Sequence, residues 1–224
     1  MTTPEPDAEA RRLARESLAA DDPTGWFERL YAAAEQGAAV VPWDRGTPHP
    51  MLVDWARARG LDGRGGRALV VGFGPGHDAE FVSSLGFTTT AFDIAESAVR
   101  AARERFPDST VRYLTADLLA PPPEWYGAYD LVVESLTVQS LPDAFRPDAI
   151  RQVARLVAPG GTLLVIAAAR EESEPAVGQP PWPLTRAEVE AFAHDGLEVV
   201  RIDDLYDADR QVRRWRAEFS GPAA

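Results

Sequence analysis

Cysteine is absent from the 224 residues, which excludes disulfides, thiolate metal sites and a cysteine nucleophile. The absence fits a reducing compartment. Long apolar runs are missing as well: nowhere do about 18 apolar residues follow one another, so no membrane span is expected. The opening MTTPEPDAEARRLARE has no apolar segment behind a basic flank, so no signal peptide is expected and the cytoplasm is the simplest location. Basic residues are few, 23 against 35 acidic ones. Such a surface repels phosphate backbones and anionic lipid, so neither nucleic acid nor membrane is an expected partner. No metal is expected, and the oligomeric state stays open. With 45% apolar residues and no Pro/Gly/Ser-rich or charged tract dividing it, the chain reads as one domain, 1–224.

Helical spacing marks residues 7 to 20 and 24 to 35, the second ending at Gly37. The stretch VPWDRGTPHP, 41 to 50, is loop by its three prolines and glycine, and a helix from Met51 to Arg59 closes at Gly60. Beyond it apolar runs at 68 to 73, 88 to 94, 129 to 135 and 161 to 169 alternate with helical stretches at 78 to 85, 96 to 106 and 147 to 158. A weaker strand lies at 111 to 116. That alternation predicts an α/β fold with a mostly parallel sheet covered on both faces. The end, GLEVVRIDDLYD and then RQVRRWRAEF, alternates as an antiparallel strand pair, its last segment with four arginines reading as an exposed edge strand.

One further absence is informative. ALVVGFGPGHDAEF, 68 to 81, runs a buried strand into Gly72, Gly74 and Gly76 and then a helix, but His77 stands where the dinucleotide fingerprint needs its third glycine. Pyrophosphate is therefore not favoured, although the strand-to-helix turn at the carboxyl edge of an open sheet is where such folds bind ligands. Asp93 ends the next strand, where a carboxylate can accept both ribose hydroxyls, with Ile94 offering an apolar face to a base. Asp117 ends the third strand, suited to an exocyclic amine, with Leu118 against the ring. Glu134 ends the fourth, and Pro159-Gly160-Gly161 leads into the fifth. Together these residues describe a pocket for an adenosine without phosphates.

The ordered series resembles the class I S-adenosylmethionine-dependent methyltransferases over about residues 64 to 220. It implies a Rossmann-like, doubly wound, seven-stranded and mostly parallel sheet with an antiparallel C-terminal pair, S-adenosylmethionine as cofactor and a small-molecule acceptor. A narrower resemblance joins Trp26 and Tyr31 to Pro42-Trp43-Asp44-Arg45-Gly46-Thr47-Pro48, which is similar to the amino-terminal signature of the thiopurine, thiol and halide methyltransferase group. It implies that residues 1–60 form a helical lid and that Trp26 and Trp43 line the site. Phe73 falls within the stretch matching that group's glycine loop, Val71 to Asp78. Gly178-Gln179-Pro180-Pro181-Trp182 with Leu184-Thr185 matches its GGPPY segment and the helix start after it, and Arg146-Pro147 stands where the group has an Arg-Pro. The group's fourth strand runs into an aromatic-rich DYTFFCA, whereas this chain has Glu134-Ser135-Leu136-Thr137-Val138-Gln139-Ser140, implying a wider, more polar acceptor pocket.

A sulfonium methyl is already activated, so transfer to a thiolate or similar soft anion needs alignment more than a base. A hydroxyl or amine would need one, and Glu134, His77, Asp44 and His49 are the candidates. Bland readings stand beside these: Asp78 either caps the following helix or sits near the cofactor's methionine amine, His77 is a solvated loop residue, Trp26 and Trp43 are core anchors or site walls, and Trp182 walls the acceptor pocket or closes the sheet edge. Arg45, Arg146 and Arg170 offer a local exception to the acidic surface. An O- or N-methyltransferase of a specialised metabolite, a nicotinamide enzyme and a silent nucleoside-binding protein are the alternatives.

Overall fold

The computed structural model describes residues 6–175, 178 and 180–223; residues 1–5 of the opening stretch and Gln179 of the Gly178-to-Trp182 segment lie outside the described residues. Two helices, α1 (Pro6–Ala19) and α2 (Gly25–Glu35), pair first, burying Ala10, Leu13 and Ala14 of one against Trp26 and Leu30 of the other. Helix α3 (Pro50–Arg59) starts where His49 Nδ1 accepts the Met51 N–H at 3.2 Å, with Pro50 in the first turn, where no amide partner is lost. It stops at Gly60, whose φ of 56° is a left-handed cap.

Then follow β1 (Arg67–Val71), α4 (His77–Ser84), β2 (Thr88–Asp93), α5 (Glu96–Arg105), β3 (Arg112–Thr115), β4 (Tyr129–Ser135), α6 (Arg146–Arg155), β5 (Val157–Ala168), α7 (Arg186–Glu190), β6 (Glu198–Asp207) and β7 (Val212–Ser220). The strands form one seven-stranded sheet in the order β3-β2-β1-β4-β5-β7-β6. The first five are mutually parallel, while β7 runs antiparallel to both β5 and β6. The doubly wound, mostly parallel sheet with its antiparallel pair is thus borne out.

Alternation along the central strands explains the two covered faces. Leu163, Val165 and Ala167 of β5 pack into one apolar layer with α6 and α7, and Leu164 and Ile166 into the other with α3, α4 and α5. In β4, Val132 goes with the first and Leu131 and Val133 with the second. Each fully buried side chain of this size stabilises the fold by about 1.5–3 kcal/mol.

The closing segment departs from expectation. RQVRRWRAEF is not the edge: β7 lies between β5 and β6, and β6 is the outer strand. Trp215, Ala217 and Phe219 of β7 are buried. Its arginines tolerate the interior position because β6 sets an aspartate near each: Arg213 bonds Asp204 at 2.5 Å, Arg216 bonds Asp203 at 2.9 Å, and Arg214 approaches Asp207 at 3.7 Å. Charge density suggested solvent; cross-strand pairing supplies the alternative.

Candidate active site

Strand β1 delivers the glycine turn to the carboxyl edge of the sheet, and α4 opens directly behind it. Gly72 and Gly74 have φ of 56° and 57°. A Cβ on Gly72 would lie 2.4 Å from Thr137 Oγ1, and one on Gly74 would lie 3.1 Å from the Tyr31 hydroxyl and 3.4 Å from Trp43 Nε1. The chain's own Thr137 and lid aromatics therefore crowd this backbone, beyond the left-handed φ that already favours glycine. Tyr31 receives a 2.9 Å bond from Trp43 Nε1, fixing the loop after α2 above the turn.

The buried carboxylate of Asp93 accepts the Gly74 N–H on one oxygen and the Ala95 N–H on the other, each at 3.0 Å. Burial raises its pKa to about 6, against the pull of those bonds. A cavity of about 480 Å³ opens here and runs along the sheet edge. Gly72, Phe73 and Gly74 line it at the glycine turn, Asp93 and Ile94 with Asp117 and Leu118 at one end, and Trp26 and Trp43 from the amino-terminal segment above the turn. At the other end it meets Arg45, His49, Asp78, Ser135, Arg210 and Arg214.

His77 also lines the cavity, and it is not simply solvated: its Nε2 lies 3.4 Å from Asp44 Oδ1 and its ring packs edge-on to Phe106. Asp78 does not cap α4, because Gly76 is the cap residue; Asp78 Oδ1 instead accepts the His49 N–H at 2.7 Å, tying the lid loop to the glycine turn. Burial pushes the Asp78 carboxyl up. His49 is held well below its ordinary range, at about 4, by burial and by the charges of Arg45 and Arg214.

Three expected residues do not face the cavity. Glu134 is fully buried behind it, with Oε1 accepting the N–H groups of Thr137 at 2.7 Å and Val138 at 2.9 Å, so its carboxylate shapes the turn after β4. Asp44 turns away to accept the Gly46 N–H at 2.8 Å and to meet Arg105 at 3.6 Å. Gly76 packs under Phe106 and Tyr113. Trp182 also lies off the cavity, its ring beneath the Arg146 guanidinium, and Arg146 and Arg170 pair with Glu188. Sequence reasoning missed Arg210 and Arg214 and gave Thr137 only as part of the polar run after the fourth strand; parity gave a signal for Arg214, which points opposite to the buried Trp215.

Residues 68–161 match the methyltransferase domain family. The probable thiol methyltransferase 2 of Arabidopsis thaliana is 27% identical over 194 residues, covering 84% of this chain and 80% of that protein. The chain is a class I S-adenosylmethionine-dependent methyltransferase. Thiocyanate methyltransferase 1 of Brassica oleracea is 29% identical to this methyltransferase over 131 residues, 57% of this chain and 56% of that one. Among solved structures, the N-methyltransferase NodS of Bradyrhizobium japonicum in complex with S-adenosyl-L-homocysteine superposes with a TM-score of 0.68 at 19% identity, covering 89% of this chain and 98% of that one. That likeness bears on the fold. No helix among the described residues of the methyltransferase is long and apolar enough to cross a membrane, and no group of three or more His, Asp or Glu among them could hold a metal.

Proposed function

We propose that this methyltransferase acts on a thiol or another soft nucleophile of a small molecule in the cytoplasm, as one domain in which residues 1–60 form a lid over a core at 64–220. The observation that carries the reading is the state of the proton acceptors at the acceptor end. Asp78 already accepts the His49 N–H, Glu134 is walled off, and His77, beside the glycine turn, has its Nε2 turned to Asp44 at 3.4 Å. The lone pair of His49 on Nδ1 is engaged by the Met51 N–H, and its pKa near 4 leaves it a weak base. A nucleophile that ionises by itself needs none of them. The relatives named as thiol and thiocyanate methyltransferases support the same acceptor class.

The residues fit S-adenosylmethionine, which when bound supplies a methyl group already activated on a sulfonium. Asp93 keeps free lone pairs beside its two backbone bonds, and these would take the ribose hydroxyls. Ile94 and Leu118 would flank the base and Asp117 its amine, while Gly72, Phe73 and Gly74 would hold the methionine end under Trp26 and Trp43, with Asp78 near its amine. The lid aromatics would exclude water from that end.

The test is release of S-adenosylhomocysteine with hydrogen sulfide, aryl and alkyl thiols, selenide, iodide, phenols and amines. Turnover is expected with the thiols and selenide, with kcat/KM rising with pH up to each thiol's own pKa. Turnover confined to phenols or amines would overturn the reading. Asp93→Ala, as the cofactor arm of the same experiment, is expected to weaken S-adenosylmethionine by more than about 100-fold in calorimetry.

A further inference from the structure

The two ends of the cavity differ in charge. Asp93 and Asp117 belong to β2 and β3, on one side of the glycine turn. Arg214 belongs to β7, four strand spacings from β2, or about 19 Å at about 4.8 Å per strand. Register pairs Arg214 with Ala168 of β5, itself at the cavity, so the guanidinium stands at the same sheet edge as the glycine turn. Arg45 comes from the lid loop and Arg210 from the turn between β6 and β7.

These three cations share one close carboxylate. Arg45 bonds Asp207, Arg214 Nε faces the same carboxylate at 3.7 Å, and the Arg210 backbone N–H bonds it at 3.2 Å while the Arg210 guanidinium donates to the Pro42 carbonyl at 3.1 Å. The second carboxylate at this end, Asp78, is occupied by the His49 N–H. A chain with a formal charge of −12 thus places an excess of positive charge at one point of its cavity. One buried donor there has no hydrogen-bond partner, His49 Nε2, whereas Arg214 Nε faces Asp207 at 3.7 Å. The His49 tautomer follows from its own bond, because Nδ1 accepts the Met51 N–H, which leaves the proton on Nε2. His49 is 4% exposed, so this donor is not satisfied by bulk solvent. Surplus cations lining the cavity fit an anionic acceptor group.

We propose that the methyl acceptor is a mercapto acid, or the corresponding acid of another soft nucleophile, whose carboxylate is held by Arg45, Arg210 and Arg214 while its nucleophilic atom points toward the glycine turn. The inference rests on the thiol reading for the nucleophile but not for the anion. Arg146 and Arg170 take no part, since both pair with Glu188 away from the cavity.

The experiment compares 3-mercaptobenzoate with its methyl ester, and 3-mercaptopropionate with its methyl ester, in the wild type, Arg210→Ala and Arg214→Gln. Calorimetry measures 3-mercaptobenzoate and S-adenosylmethionine binding to each protein. The wild type is expected to favour each acid over its ester by about tenfold or more in kcat/KM, and both variants to shrink that ratio by about fivefold, with S-adenosylmethionine affinity held within about twofold. Arg210 is exposed, so its variant carries the test even where Arg214→Gln fails to fold. Equal use of acid and ester by the wild type would overturn the proposal. So would variants that weaken S-adenosylmethionine as much as the acid, because the arginines would then hold the cofactor's own carboxylate. If no thiol turns over, the thiol reading fails, yet calorimetric binding of 3-mercaptobenzoate and its loss in Arg210→Ala still supports the anion site, and no binding overturns it.

Discussion

Glu134 shows how a residue at the right place in the chain can serve structure alone. Its Oε1 holds two N–H groups, its Oε2 has no partner, and burial lifts its pKa to about 7. A carboxyl whose folded pKa lies above its unfolded value favours the protonated folded state. Ionised Glu134 therefore destabilises the fold above pH 7, and that penalty fades as pH falls through 7 toward 4.5. Glu134→Gln keeps an acceptor for Thr137 and Val138 and removes the charge. It is expected to stabilise the protein by about 1–3 kcal/mol at pH 8, with little of the difference left near pH 4, as read from urea unfolding at both values. A variant no more stable at pH 8 would show that the charge has a partner after all, and would return Glu134 to the site.

At the scale of elements, α2 is joined to the start of α5 through a borrowed cap. The residue at the cap of α5 is Ala95, which has no side-chain acceptor, and Glu28 of α2 serves instead, accepting the Ser97 N–H at 3.0 Å and the Ser97 hydroxyl. Burial pushes the Glu28 carboxyl up, but the two Ser97 bonds, with Arg100 and the Glu96 N–H, outweigh it and hold the pKa below its ordinary value. The contribution is therefore present above pH 4.5 and lost as pH falls through the lowered value. Glu28→Ala is expected to cost about 1 kcal/mol at pH 7 and to raise the KM for S-adenosylmethionine, because α5 starts directly after Asp93 and Ile94. An unchanged KM would separate lid docking from cofactor binding.

Elements were the most legible part of the sequence. The apolar runs at 68 to 73 and 129 to 135 could only be buried strands, and Gly72, Asp93 and Asp117 follow from where such strands end. Less legible was anything decided by pairing between distant segments. Nothing in RQVRRWRAEF tells that three aspartates of β6 accompany its arginines, so the segment reads as an edge although it lies inside the sheet. For the same reason the sequence marked Arg45, Arg146 and Arg170 as equals, while only Arg45 reaches the cavity. Glu134 and Asp44 sit at expected positions, and only side-chain direction removes them from the site.

At the scale of the whole molecule, a buried ion-pair cluster ties the loop before α3 to the carboxyl-terminal hairpin. Asp207 draws Arg45 from the lid and Arg214 from β7, with side chains only 6%, 12% and 10% exposed. Burial pushes the Asp207 carboxyl up, but Arg45, the Arg210 N–H and Arg214 together outweigh it and hold its pKa below the ordinary value. Its removal differs from removal of either arginine: loss of Arg45 leaves Asp207 paired with Arg214, whereas Asp207→Asn leaves two buried guanidiniums facing one another. Asp207→Asn is therefore expected to cost about 3 kcal/mol, a fall of about 6–12 °C in Tm for a chain of this length, and Arg45→Gln markedly less. If the arginines also form the acceptor's anion site, the same substitution frees them for ligand. A saturating mercapto acid should then return more stability to Asp207→Asn than to the wild type, by binding only the folded state. Thermal unfolding of both proteins with and without 3-mercaptobenzoate measures this, and equal shifts in the two would show that Asp207 and the acceptor do not compete for the same cations.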